Sequence, residues 1–219
     1  ILVGDSLGMV VLGYHDTKKV TMMDMIRHTQ AVARGVKSAI VIGDLPIHSF
    51  DTIEDALANS KRLVEAGAHA VKLEGNKPEI IRAIIEAGIS VQGHLGLLPQ
   101  TAKSMRVRGK RSRDAEQILA DAKVLDSLGV FSLVLECIPL DLARRITRAV
   151  ATPTIGIGAG VHCDGQVLVM NDMLGMDDGY CPRHANAYLD LNNLIGKAVK
   201  SYIEDVKTGR FPEDRHSFH

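Results

Sequence analysis

Short apolar runs recur along the chain, and the longer stretches between them place apolar residues three or four positions apart among charged ones. The runs Ile1–Gly4, Ala39–Ile42, Ala70–Leu73, Ile89–Gln92, Phe131–Leu135 and Thr154–Ile157 lack the strict polar alternation of a half-exposed strand. Apolar runs of this length predict strands of a parallel sheet covered on both faces. The intervening stretches Met22–Arg34, Thr52–Glu65, Pro78–Ala87, Ala115–Ser127 and Leu140–Ala149 predict amphipathic helices. Asp51, with Glu54 three residues on, has the form of an N-cap with its capping box, and Gly67 and Gly88 stand where helices should stop. The pattern is a repeated βα unit.

Such a repeat builds either an open doubly wound sheet or a closed barrel. The polar residues favour the barrel. Asp5, Asp44, Lys72 with Glu74, His94, Glu136 and the glycines after Ile157 all fall at the C-terminal ends of successive predicted strands. An open sheet gathers its site at one switch point, whereas a barrel points all its strand ends into one mouth. The segment Val167–Leu174, a closing strand around Gly179–Pro182 and a helix from Leu189 to Val206 would complete the architecture. At 219 residues the chain has the length of one well-buried domain, so 1–219 is read as a single barrel domain. It opens without Met, on residues already read as strand, which leads us to expect further sequence upstream.

Composition narrows the partners. With 26 basic and 26 acidic residues the formal charge is zero, so no whole-protein field invites a nucleic acid or a charged membrane. Cys137, Cys163 and Cys181 are odd in number and lack metal-site spacing, which fits a reducing, cytoplasmic setting better than a disulfide-stapled secreted one. No apolar run reaches the roughly 18 residues of a membrane helix, and no targeting segment is visible. The one dense run of charge, RVRGKRSR within Pro99–Arg113, is read either as a solvated basic loop or as a docking surface for an anionic substrate.

A carboxylate at a strand mouth costs desolvation unless it is hydrogen-bonded, paired or bound to a cation. Asp5 and Asp44 therefore either cap the loops that follow them or supply hard oxygen ligands, with Glu74 nearby. Magnesium suits such a set, because it relies on one or two protein carboxylates and keeps waters and substrate oxygens for the rest. In VKLEG, Val71 and Leu73 facing the helices would turn Lys72 and Glu74 inward together. Lys72 then serves as a fixed positive charge for a substrate carboxylate, as a Schiff-base amine, or as an ion-pair partner only; surrounding acids argue against the Schiff base. Glu136, isolated after an apolar strand, is a candidate proton acceptor with a proton affinity raised by burial. His94 is either structural or a donor to a bound carboxylate or carbonyl. GIGAG at 156–160 matches neither the dinucleotide fingerprint nor the P-loop, so its glycines are read as a tight turn or a close approach.

Taken in order, ILVGDSLGMVVLGY, VIGDLP, AVKLEG, GHLGLLPQ, LVLECIP, TPTIGIGAG, DGQVLVMNDMLG and the terminal HSFH resemble the successive motifs of the ketopantoate hydroxymethyltransferase family over essentially the whole chain. The resemblance implies a (β/α)₈ barrel of the TIM type, with the βα unit that normally precedes ILVGDS absent from this sequence. It implies a homo-oligomer, commonly a decamer, that uses Mg²⁺. The implied reaction moves a one-carbon unit from 5,10-methylenetetrahydrofolate to 3-methyl-2-oxobutanoate, giving 2-dehydropantoate on the route to pantothenate. By the same resemblance Asp5, Asp44 and Glu74 belong to the metal shell, with Asp5 and Asp44 also near the substrate. Ser6, Lys72 and His94 contact the oxo acid, and Glu136 accepts the proton. The loop after PQ, TAKSMRVRGK, is shorter than the family's. Two rival readings remain: a lyase or aldolase acting on a 2-oxo acid without folate, and a barrel whose strand-end acids serve structure alone.

Overall fold

The computed structural model describes residues 1–176, 179 and 181–219. They form two compact units, Ile1–Val167 and Leu168–His219. In the first, β1 (Leu2–Val3) leads through the short α1 (Leu7–Val10) to α2 (Met22–Gly35). Then β2 (Ile42–Asp44), α3 (Ile53–Glu65), β3 (Ala70–Lys72), α4 (Pro78–Glu86) and β4 (Ser90–Gly96) alternate. They are followed by α5 (Ser112–Leu128), β5 (Ser132–Glu136), α6 (Leu140–Ala149), β6 (Thr154–Ile157) and β7 (Gly165–Gln166). The second unit holds α7 (Met170–Leu174) and α8 (Leu191–Lys207), the latter capped by Asp190, whose side chain accepts from the Asn193 N–H.

All seven strands lie in one sheet in sequence order, and every pairing is parallel. The described strands therefore have no switch point, and the sheet curls as an open, incomplete (β/α)₈-type barrel with helices outside. Among the described residues no strand joins β7 back to β1. Of the closing strand expected around Gly179–Pro182, Tyr180 lies outside the described residues, and Gly179, Cys181 and Pro182 are in no strand.

Helix starts follow local chemistry. Thr21 and Asp24 form a reciprocal capping box on α2, each side chain accepting the other's backbone N–H. The α3 cap is one residue later than the sequence pattern predicts. Thr52 accepts from the Asp55 N–H, while Asp51 instead meets the His48 ring at 2.9 Å. Gly67 and Gly88 end their helices with φ of 102° and 81°, as expected of left-handed stop positions.

Two strands differ from their predicted bounds by more than one residue. β2 begins at Ile42, and Ala39 and Ile40 of the predicted run are exposed, because apolar content alone does not separate the approach to a strand from the strand. β4 runs on past Gln92 to Gly96, so His94 lies within the strand rather than at its end. Gly93 permits the continuation: a Cβ there would sit 2.9 Å from Leu125 Cδ1 of α5 and 3.1 Å from Leu133 Cδ1. The position is glycine because helix α5 presses on it, not because the strand breaks there.

The core between sheet and helices is aliphatic. Leu63, Val71, Leu73, Ile81, Ile84, Val91, Leu125, Leu133, Leu135 and Ile146 are all fully buried in it. These residues occupy the outward face of the strands and the inward stripe of the helices. The polar residues of the same strands are left to the other face.

Candidate active site

Register fixes which polar chains meet. Asp44 pairs with Lys72 and Lys72 with Gln92 across three adjacent strands, while His94 pairs with Val134 and Gly96 with Glu136. A Cβ on Gly43 would press on Leu63 of α3 at 3.1 Å, so Gly43 faces the helices and Asp44 faces inward. The same alternation sends Val71 and Leu73 outward and Lys72 and Glu74 inward, as the sequence predicts.

The resulting cluster is dense. Lys72 Nζ donates to both oxygens of Asp44, at 2.9 and 2.8 Å. The Asp5 N–H donates to Asp44 Oδ2 at 3.3 Å. Gln100, from the loop after β4, donates its Nε2 to Asp5 Oδ2 and to the Leu45 carbonyl, both at 2.9 Å. Its backbone N–H donates to Glu74 Oε2 at 3.2 Å. His94 lies between two acids, Nδ1 3.7 Å from Glu74 Oε1 and Nε2 3.1 Å from Glu136 Oε2. Neither contact has hydrogen-bond alignment, so among the described residues both ring nitrogens are buried without a hydrogen-bonded partner. Glu136 is the wettest acid of the group, its side chain 18% exposed against 3% or less for Glu74 and Asp44. Ser6, at the start of α1, is half-buried and caps nothing with its hydroxyl.

Burial and mutual repulsion govern the charges. Desolvation pushes the Asp44 carboxyl up to about 7, with Lys72 pulling against it and Asp5 adding to it. Glu74 is pushed up to about 8, again by desolvation first, with Asp44 and Asp5 outweighed in part by Lys72. Burial alone would lower Lys72, yet Asp44, Asp5 and Glu74 together hold it above the ordinary ammonium range. His94 is lowered by desolvation and by Lys72, against the pull of Glu136, and is therefore neutral near pH 7. Glu74 has no ammonium within hydrogen-bond reach, so it is the acid that keeps a proton at neutral pH.

Asp5, Asp44 and Glu74 crowd three carboxyl groups around one ammonium, and a divalent cation that displaced the Glu74 proton would relieve their mutual repulsion. Among the described residues no three His, Cys, Asp or Glu side chains converge as a ready-made cage. Magnesium does not require one, since it completes its shell with water and substrate oxygens. The donor chemistry of Asp5, Asp44 and Glu74, all carboxyl oxygens, fits that ion, whose binding would displace the Glu74 proton.

The sequence-derived candidates Asp5, Asp44, Lys72, Glu74 and Glu136 thus lie at the ends of β1, β2, β3 and β5, with His94 inside β4 between Glu74 and Glu136, and Ser6 following Asp5. Gln100 escapes the sequence reading, although it is 1% exposed and touches three of those strand ends. Its only sequence signal is a polar residue closing the apolar run LGLLP. The basic residues Arg106, Arg108, Lys110, Arg111 and Arg113 are exposed, and the Arg108 N–H ties their loop to the Cys137 carbonyl at the end of β5. GIGAG behaves as a tight turn, with φ of 66° at Gly158 and 81° at Gly160, where a Cβ would meet Leu140 Cδ1 at 2.7 Å.

Comparison with known proteins gives the family. The family profile described as Ketopantoate hydroxymethyltransferase matches residues 1–214. The 3-methyl-2-oxobutanoate hydroxymethyltransferase of Syntrophus aciditrophicus (strain SB) is 52% identical over all of this chain and 83% of its own length. That of Moorella thermoacetica (strain ATCC 39073 / JCM 9320) is also 52% identical, over all of this chain and 84% of its own length. Both alignments run over 225 positions, more than the 219 residues here, so those relatives carry extra residues within the matched span. A solved phosphoenolpyruvate phosphomutase from Streptomyces platensis subsp. rosaceus superposes with a TM-score of 0.55, covering 88% of this chain and 70% of its own. At 13% identity that likeness shows the fold alone. With half its residues shared along its whole length, the chain belongs to the ketopantoate hydroxymethyltransferase family and is an enzyme, a hydroxymethyltransferase of pantothenate biosynthesis.

Proposed function

We propose that the protein transfers a hydroxymethyl group from 5,10-methylenetetrahydrofolate to 3-methyl-2-oxobutanoate in a magnesium-dependent reaction, forming 2-dehydropantoate. The observation that carries this reading is the buried acid cluster around Lys72, set beside a neutral His94 and a more accessible Glu136. Asp5, Asp44 and Glu74 would hold Mg²⁺, which when bound supplies a Lewis acid for the oxo acid's oxygens. Lys72 spends two N–H groups on Asp44 and keeps a third for the substrate carboxylate. The single N–H of the neutral His94 ring and the Ser6 hydroxyl offer further hydrogen bonds to substrate oxygens. Glu136 takes the C3 proton, which the adjacent carbonyl makes acidic. The carbon so freed attacks the methylene carbon of the folate iminium, formed when one of its two C–N bonds opens and that nitrogen takes a proton. Water then displaces the second nitrogen, which also takes a proton, leaving the hydroxyl on product and releasing tetrahydrofolate. The reading takes 1–219 as one catalytic domain of a cytoplasmic homo-oligomer, a decamer in the family pattern. No helix among the described residues is long and apolar enough to cross a membrane.

The test is turnover with 3-methyl-2-oxobutanoate, methylenetetrahydrofolate and Mg²⁺, each omitted in turn. Product without folate would replace this reading with a folate-independent lyase or aldolase. Exchange of the substrate C3 hydrogen with solvent isolates the proton step from folate docking. Glu136→Gln should slow that exchange by about 10²-fold or more, the scale of a lost general base, while leaving magnesium binding intact. Near-normal exchange would remove Glu136 from the role.

A further inference from the structure

We propose that Gln100 is a positioning residue that sets the coordinating geometry of Asp5 and Glu74, an inference that rests on the magnesium-dependent reading above. The residue lies in the loop between β4 and α5, yet it touches the chain beyond three other strands. Its Nε2 has two protons and spends both, on Asp5 Oδ2 after β1 and on the Leu45 carbonyl after β2, at 2.9 Å each. Its backbone N–H goes to Glu74 Oε2 after β3, at 3.2 Å. At 1% exposure no water competes for these bonds.

The pattern is specific in which oxygens it takes. One oxygen of Asp5 and one of Glu74 are held by Gln100. Among the described residues no donor is bonded to Asp5 Oδ1, and Glu74 Oε1 has only the unaligned His94 ring at 3.7 Å. Each acid is thereby held by one oxygen, and its other oxygen is left without a bonded donor among the described residues. Asp44 cannot be turned in this way, since Lys72 holds both its oxygens. The chemistry of the holding group also matters. A lysine or arginine at position 100 would neutralise the acids and compete with a cation for them. A neutral amide fixes their direction and leaves their charge available, which is how outer-shell partners serve metal ligands.

Gln100→Met tests this, because it keeps the length and apolar stem of the side chain, removes the amide, and leaves the backbone N–H on Glu74 in place. Calorimetric titration with Mg²⁺, alone and with 3-methyl-2-oxobutanoate present, should show affinity weakened about 10- to 100-fold, the range for outer-shell partners. KM for the oxo acid should rise at limiting Mg²⁺, and the C3 exchange rate constant at saturating Mg²⁺ should stay within about 3-fold of wild type, since the proton acceptor is untouched. A residue that merely clamps its loop would lower the unfolding midpoint and leave the Mg²⁺ affinity of the folded protein unchanged. That result would overturn the inference. Gln100→Asn keeps the amide on a stem one carbon shorter, too short to reach both Asp5 and Leu45, and should lose less affinity than the Met variant. Should the Met variant not fold, an Asn variant with wild-type Mg²⁺ affinity would overturn the inference equally. Absence of Mg²⁺ binding by the wild-type protein would fell the reading on which it rests, a result distinct from normal binding by both variants.

Discussion

Glu74→Gln should make the metal-free protein more stable at alkaline pH, even as it removes a candidate metal ligand. The reason is that the folded protein raises this carboxyl from its ordinary 4.5 to about 8, chiefly by desolvation. Below about pH 4.5 the acid is protonated in both states and contributes no pH dependence. Between that value and about 8 the unfolded chain has released the proton while the folded chain still holds it, so stability falls as pH rises. Above about 8 both states are ionised and the loss is complete. Each pH unit in the window costs about 1.4 kcal/mol, which amounts to about 5 kcal/mol if the cluster does not relax. Rotation of Glu74 towards water would reduce it, so we expect about 2–5 kcal/mol between the ends of the window. Glutamine has the shape of the protonated acid and cannot ionise. Urea unfolding of both proteins in chelator should therefore give nearly equal stabilities at about pH 5 and a growing advantage for Glu74→Gln towards about pH 9. Taking the difference between the two proteins cancels the titrating groups that do not interact with Glu74. Magnesium should reverse the order at alkaline pH, because it stabilises the wild type by mass action and the variant less. A difference in stability that does not vary with pH would refute the assignment of the buried proton to Glu74.

Other expectations bear on neighbouring parts. Asp44→Ala should weaken both Mg²⁺ and oxo-acid binding by about 10-fold or more in calorimetry, since it removes an acid and strands the Lys72 ammonium; two unchanged affinities would exclude Asp44 from the site. Gly96→Ala should cost about 2–4 kcal/mol in urea unfolding, because φ there is 100° and a Cβ would overlap the Glu136 carbonyl oxygen; a loss below about 0.5 kcal/mol would show that this approach is not tight. Thr21→Ala should cost about 1 kcal/mol through loss of the reciprocal cap on α2, and an unchanged unfolding midpoint would discount that cap.

The sequence makes legible whatever depends on neighbours along the chain. Thr154–Ile157 and Leu140–Ala149 coincide with β6 and α6, both bounded by proline or glycine that local rules can read. The candidate acids are visible because each follows an apolar run directly, and the strand order turns that repetition into spatial convergence. What is illegible depends on distant contacts. Gly93 looks like a strand terminus until Leu125 is seen packed against it. β7, two residues long and containing glycine, has no apolar run to announce it. Gln100 and Asp5 are 95 residues apart, so nothing local to either foretells their hydrogen bond.

The strand order also separates two kinds of chemistry. Acids beyond β1, β2 and β3 surround Lys72, whereas Glu136 ends β5, and His94 on β4 lies between the two groups. Were His94 an imidazolium, it would pair with Glu74 on one side and Glu136 on the other, and a base tied to a full positive charge makes a poor proton acceptor. Desolvation and the Lys72 charge prevent this by lowering the imidazole. A neutral ring has one N–H and one lone pair, so it cannot donate to both acids, and in the structure it is aligned with neither. Lys72 thus does two things in the proposed reaction: its direct charge serves the oxo-acid carboxylate, and its field adds to desolvation in keeping His94 neutral, leaving Glu136 without a cationic partner at the moment it must take a proton.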